Sequence, residues 1–386
     1  MSEAASSRLP HFAGIDVLRG LAVLAVVAHH VHLRFLLNHF DVAALLPKPI
    51  ARVVFWSGYY GVIVFFVVSG FLIANLSMRR WSSLPCIEPR AFYVLRFARI
   101  FPCLIALLAV LSILHLAGFA DYAIDSARAS LPRAIGAALA FHFNWLEGTH
   151  GYLPGSWDVL WSLSIEEAFY FFFPLVCIAL RNERVIMLAL LVFIVVGPFS
   201  RVFDAASEPW DEYAYLSCMD GIAFGCLAAM FQARRAISRR ALRIALAAGL
   251  AMMLLVIAFR PATNALGLVS NGLYITVLEA GTALVLLAIA GGAGERWSAR
   301  GFFAALGFVG RRSYEIYLTH MFVVFAAVAA FKAMNADLAL VGLWYAAAVA
   351  ISIALGDVVA RGFSFPMNRA IRRRWAEARP MATGLA

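Results

Sequence analysis

Ten apolar runs, each long enough to cross a lipid bilayer, constrain this chain more than any other feature. A crossing helix needs about 20 mostly apolar residues to span a hydrocarbon layer about 30 Å thick. The sequence supplies such runs near 15–37, 53–76, 97–119, 158–180, 185–203, 214–231, 242–259, 268–290, 309–331 and 338–360. Backbone groups in lipid must be paired internally, so only helices or closed barrels qualify. The runs are continuous, without period-two alternation, and therefore read as helices. The fold expected is all-α: a polytopic integral membrane bundle of about ten transmembrane helices, with both termini cytoplasmic. Composition agrees. Of 386 residues 63% are apolar and 14% charged, and mean hydropathy is +0.84. A soluble domain carries about 25% charged residues, so this chain cannot clothe a water-facing surface. That excludes a soluble enzyme, a disordered regulator and a secreted disulfide scaffold. Its cysteines (Cys86, Cys103, Cys177, Cys218, Cys226) contain no C-x-x-C pair and read as small packing residues.

Charge orders the bundle. The formal charge of +10 resembles a nucleic-acid signal, but the basic residues are almost all Arg and cluster between apolar runs. That is the positive-inside pattern, and no nucleic-acid partner is expected. Arg79, Arg80, Arg90, Arg96 and Arg99 face a single Glu88; Arg234, Arg235, Arg239, Arg240 and Arg243 have no acid among them; the tail carries Arg369, Arg372, Arg373, Arg374 and Arg379. Around Asp204, Glu208, Asp211 and Glu212 the sign reverses. With ten spans and a cytoplasmic N-terminus, every Arg cluster falls inside and the acidic loop outside. The stretch 131–146 is apolar but short, and holds His142, Asn144 and Trp145. A span there would break the parity, so it reads as an outer-face interfacial or re-entrant helix. The organisation expected is a cytoplasmic segment 1–13, a membrane domain 14–361 and a basic cytoplasmic tail 362–386. The first span, running from Leu21–Ala28 into His29, His30 and His32, lacks a small-residue cleavage site and reads as retained.

Ionisable residues inside spans are costly and mark function by default. Arg19 and His30 lie eleven residues apart on the first helix. That spacing turns them to within about 20° of one another and separates them by about 16 Å. One helix face thus carries a cation near the cytoplasm and an imidazole in the outer half. Both residues also have plainer readings, Arg19 snorkelling to headgroups and His30 as an ordinary bonded polar group. Consecutive helical histidines diverge by about 100°, so His29, His30 and His32 do not suggest a shared metal, and none is expected. Arg96 and Arg99, at i and i+3, open the third span as a guanidinium pair suited to phosphate, or as positive-inside anchors. On the fourth span Glu166 and Glu167 lie about 12 Å below Asp158, close to the depth of His30, and call for a cationic or imidazole partner. Asp220 and Glu279 are further buried acids, and Tyr314, Tyr317 and His320 form a stripe on the ninth span.

The segments GIDVLRGLAVLAVVAHH, GVIVFFVVSGFLI, YVLRFARIFP, NWLEG with WSLSIEEAFYFFFPL, MDGIAFGCLAA and SYEIYLTHMF together resemble membrane acyltransferase family 3. These are bacterial integral-membrane O-acyltransferases of sugars and related hydroxyl compounds. The resemblance runs in family order from residue 14 to about 325. It implies a multi-pass enzyme of the bacterial inner membrane that moves an acyl group, acetyl first among them, from cytoplasmic acyl-CoA to a hydroxyl of a cell-surface or lipid-linked glycan. It implies that His30 is catalytic and that Glu166 is the acid of a W-S-L-S-x-E motif; the mechanism expected from this layout has His30 as general base and Glu166 orienting its ring. Arg19, Arg96 and Arg99 become candidates for donor binding, and Trp161, Asp220, Tyr314, Tyr317 and His320 for substrate binding. The motifs depart from the family at Glu315 and at Cys218 and Met219 before Asp220, departures expected to touch acceptor choice. The sequence stops soon after the last span, so no soluble esterase-like extension is expected. Acylation of a small metabolite remains open. A proton-coupled transporter would show inverted repeats and broken helices in matched halves, and a non-catalytic binder would leave the aligned Arg and His unexplained.

Overall fold

A computed structural model describes residues 12–43, 46–205, 208–298 and 300–378. Most of the segment 1–13 and Arg379 of the basic tail lie outside these residues. Among them ten helices are long and apolar enough to cross a bilayer. They are α1 (Ala13–Leu37), α2 (Gly58–Trp81), α3 (Pro89–Leu116), α4 (Gly155–Leu180), α5 (Glu183–Asp204), α6 (Tyr215–Arg234), α7 (Arg239–Ala258), α8 (Leu273–Ala290), α9 (Ser313–Ala333) and α10 (Leu338–Glu377). Among the described residues there is no strand. The all-α, multi-pass architecture stands as the sequence indicates.

The boundaries differ where polar residues interrupt an apolar run. Helix α3 begins at Pro89, a residue favoured in the first helical turn. Arg96 and Arg99 therefore lie well inside α3 and do not open it. Residues Lys48–Phe55 form a separate short helix ahead of α2. The ninth run divides at Arg311 and Arg312 into a short helix, Gly301–Gly310, and α9. The tail does not break away at residue 362: α10 passes through a π-turn at Ala360–Ser364 into a helix, Phe365–Glu377, which packs along α3. The stretch 131–146 becomes two helices too short to span, Leu131–Leu139 and Phe143–His150. The Ser130 side chain caps the first by accepting from Arg133 N.

Helix α2 is the core of the bundle, with 78% of its apolar window buried, against 22% for α7 and α10 at the periphery. Its contact with α6 is set by glycines. A Cβ on Gly70 would sit 1.9 Å from Ile222 O, and one on Gly225 would sit 1.9 Å from Val67 O. Helices in lipid gain their association from such close backbone approach rather than from hydrophobic transfer. Gly225→Ala is accordingly expected to destabilise the bundle by about 3 kcal/mol or more. Gly342→Ala, where nothing lies within 4 Å of the added carbon, is expected to melt like the parent. Thermal melting of the two purified variants checks this, and equal midpoints would contradict it.

Candidate functional site

Helices α1, α2, α3, α4 and α9 enclose a cavity of about 310 Å³. Arg19, Arg96, Arg99, Glu166, Tyr314 and Tyr317 all line it, together with Ser69, Ser162, Tyr170 and Ser313. Arg19 Nη2 donates to Ser313 Oγ at 2.9 Å, and its other terminal nitrogen lies 3.9 Å from Asp16. Arg99 Nη1 donates to Glu315 Oε1 at 2.7 Å, and Ser364 Oγ donates to the same oxygen at 2.6 Å. The Arg99 guanidinium also covers the Tyr314 ring at 5.2 Å. Arg96 stacks over Tyr170 at 4.5 Å, whose hydroxyl is bonded to Ser69 Oγ. No described carboxylate lies within ion-pair distance of Arg96. Three guanidiniums thus converge on one cavity whose walls carry phenol and serine hydroxyls, a lining that accepts an anionic ligand.

Like Arg19, His30 faces α9. Its Nδ1 lies 3.0 Å from His320 Nε2, and His320 Nδ1 lies 2.6 Å from Tyr317 O. A carbonyl only accepts, so His320 Nδ1 carries a proton. Neutral His320 then presents a lone pair at Nε2, and His30 donates to it from Nδ1. The lone pair of His30 is thereby placed on Nε2, directed away from the pair. Tyr317 joins the two features. Its carbonyl holds His320, its hydroxyl donates to Val159 O at 3.0 Å and accepts from Ser162 Oγ at 2.7 Å, and its ring lines the cavity.

The geometry brings some of the expected site residues together and sets others apart. The hydrogen-bonded partner of His30 is His320, while Glu166 sits in the cavity wall beside the arginines. Depth along the helices brought Glu166 and His30 level, but lateral placement decides which groups touch. Trp161 does not line the cavity: it is 5% exposed, stacked on Tyr213 at 4.2 Å and flanked by Tyr59 at 6.3 Å. Asp220 is also elsewhere, paired at 2.9 Å with Arg201, which further donates to Ser217 O, Gly272 O and Thr276 Oγ1. That cluster ties α5, α6 and α8 together. Glu315 is fully buried against Arg99 and does not itself line the cavity. Sequence reasoning missed this pairing, although an acid two residues into α9 and an Arg within α3 were both visible. His29 Nδ1 bonds Phe55 O at 2.8 Å and His32 Nδ1 lies 3.1 Å from Tyr345 OH, so the three histidines of α1 go to three different partners.

The segment between α3 and α4 is tied to the start of α4 by hydrogen bonds. Trp157, fully buried, donates from Nε1 to Tyr122 O at 3.0 Å. Leu153 N donates to Glu147 Oε1 at 3.0 Å, and Tyr213 OH donates to Asp158 Oδ1 at 2.8 Å. Burial, and then the neighbouring Asp158 charge, push the Glu147 carboxyl well above the usual carboxylate range.

A family model described as an acyltransferase domain matches residues 12–361. The chain belongs to membrane acyltransferase family 3. Among curated relatives, a peptidoglycan O-acetyltransferase, OatA, of Listeria monocytogenes is 30% identical over 170 residues, 42% of this chain and 23% of the relative. An O-acetyltransferase OatA of Staphylococcus aureus (strain NCTC 8325) is 27% identical over 169 residues, again 42% of this chain and 24% of the relative. A relative from Staphylococcus aureus (strain COL) is 28% identical over 218 residues, covering 51% of this chain and 32% of its own length. The matches thus span less than a third of these relatives. No solved structure matches the chain.

Proposed function

We propose that this acyltransferase is an O-acyltransferase of the bacterial inner membrane, carrying an acetyl group from cytoplasmic acetyl-CoA to a hydroxyl of a cell-surface or lipid-linked glycan. The observation that carries the proposal is the His30–His320 pair set on the same bundle as a cavity lined by three arginines. The Arg-rich face, holding both chain ends, is the cytoplasmic one. The relatives whose names specify O-acetyl transfer, one of them to peptidoglycan, support a glycan acceptor.

In this reading the phosphates of the donor engage Arg19, Arg96 and Arg99, and the thioester points toward α9. His30 Nε2 removes the proton of the acceptor hydroxyl. The oxygen attacks the thioester carbonyl, the C–S bond breaks, and the proton passes from His30 to the departing CoA sulfur. The products are an ester and free CoA. His320 accepts from His30 Nδ1 throughout, which keeps the ring oriented and shares the charge it acquires, the task a carboxylate performs in a hydrolase triad. Glu166, in the cavity wall, balances the arginines and leaves a cavity that is not uniformly cationic.

The test is incubation of the purified chain with acetyl-CoA labelled in the acetyl group, alone and with glycan fragments or small hydroxyl compounds. Label leaving CoA for a glycan hydroxyl is the expected result. Transfer confined to small metabolites would replace the acceptor, and absence of both donor binding and transfer would overturn the proposal.

A further inference from the structure

Beyond His30, on the side away from Arg19, helix α1 carries another cation, Arg34. Residues four apart are neighbours on one helix face, so Arg34 follows His30 by one turn, about 6 Å along the axis. Like His30 it meets α9: its guanidinium carbon lies 5.0 Å from the centre of the Phe325 ring. The first residue of α4 closes on it from another side. A Cβ on Gly155 would sit 1.8 Å from Arg34 Nη2 and 3.2 Å from Met321 Cε, so the guanidinium occupies space that only a glycine leaves open. The start of α4 is pinned there, because Ser156 Oγ donates to Asp121 O at 3.2 Å. Three helices thus hold Arg34 one turn past the base.

What Arg34 lacks is a partner for its charge. Its Nε is buried and meets no acceptor, and among the described residues no carboxylate lies within ion-pair distance of it. The acids whose charge reaches it, Asp158 and Asp121, stand farther off, and Asp158 Oδ1 already accepts from Tyr213 OH. A half-buried guanidinium with open donors is costly, and its planar fork matches the paired oxygens of a carboxylate or phosphate. We propose that Arg34 binds an anionic group of the acceptor, a carboxylate or phosphate on the sugar whose hydroxyl reaches His30 or on its neighbour, so that the enzyme selects acidic over neutral glycans. The inference rests on the base and the glycan acceptor of the preceding section and names the class of that acceptor. It gives the two anionic ligands separate sites: Arg19, Arg96 and Arg99 take the donor on one side of His30, and Arg34 takes the acceptor on the other.

The experiment measures transfer from acetyl-CoA by the full-length chain, purified in neutral detergent, to galactotriose, trigalacturonate and galactose 1-phosphate. These probes are neutral, carboxylated and phosphorylated. Arg34→Gln, Arg34→Lys and Gly155→Ala, each verified as folded by size-exclusion chromatography, are assayed alongside, and CoA affinity is titrated for every protein. The parent is expected to favour an anionic probe over galactotriose by about tenfold or more in kcat/KM, and the probe it favours identifies the group as carboxylate or phosphate. Arg34→Gln is expected to bring that ratio close to one through a higher acceptor KM, with CoA affinity as in the parent. Arg34→Lys, which keeps the charge but not the fork, should recover part of the preference. Gly155→Ala, which pushes the guanidinium aside without removing it, should lose it. A parent that binds CoA but treats the three probes alike, or transfers to none, would overturn the acceptor inference and leave the donor reading standing. So would an Arg34→Gln protein that keeps the anionic preference, or one that loses the same factor in kcat on every probe, the mark of a structural role. A parent that neither binds CoA nor transfers would overturn the donor reading itself.

Discussion

Changing His30 to Ala will lower acyl transfer by about 10²–10⁴-fold, the span usually supplied by a positioned general base, without changing donor affinity. The side chain is partly buried and its bonded neighbour is another imidazole, so its removal strands no charge. His320 separates a base from a merely polar neighbour. His320→Ala leaves the His30 ring without the acceptor that fixes its tautomer, and misplacement on that scale costs about 10²-fold. His320→Gln retains an acceptor oxygen at a similar reach and should recover part of the loss. All of the effect is expected in kcat, with the donor KM unchanged. A structural role for His320 would show instead as a lower melting temperature and parallel losses in both variants. Wild-type turnover in His30→Ala would remove the base from the account.

The second large effect concerns Arg99, and it joins stability to binding. Glu315 is fully buried. One of its oxygens receives Arg99 and Ser364, and the other has no partner. Removing one member of a buried ion pair leaves the other uncompensated, at a cost of about 3–5 kcal/mol. Arg99→Ala is therefore expected to lower the melting temperature sharply as well as weaken donor binding. The double change Arg99→Ala with Glu315→Gln removes the stranded charge, and should recover most of the stability while donor affinity stays low. Thermal melting and CoA titration of the single and double variants separate the two quantities. If Arg99→Ala melts like the parent, the ion pair contributes nothing to the fold. If the double variant binds CoA normally, Arg99 is not a donor ligand.

How far the sequence reaches can be judged from these residues. The ten spans were legible because a bilayer demands continuous apolar runs, a signal independent of neighbours. Span ends were less so: α3 starts at Pro89, ahead of Arg90 and Arg96, because a helix can begin with charged turns that a hydropathy window discounts. The eleven-residue spacing of Arg19 and His30 places both on one face, and both do contact α9, through Ser313 and His320. What spacing along one helix cannot encode is which helix stands beside it. Glu166 and His30 matched in depth, yet α9 supplies the nearer group. Trp161 and Asp220 stood out by residue type, but the first is consumed by stacking on Tyr213 and the second by Arg201. Ser69, Tyr170 and Ser364 gave no signal, since hydroxyls are common in spans and gain meaning only from what they meet.

The central claim is that one bundle connects an anion-binding cavity at its Arg-rich face to a base nearer the opposite face, so that donor and acceptor are met from different sides. Reconstitution in sealed vesicles tests it most directly. Acetyl-labelled CoA is supplied only to the Arg-rich face, and a glycan acceptor is sealed on the other side. Protease access to the C-terminal tail reports the orientation. The account predicts label on the sealed acceptor, at a rate that requires His30. Label appearing only on acceptors that share the compartment of the donor would contradict it.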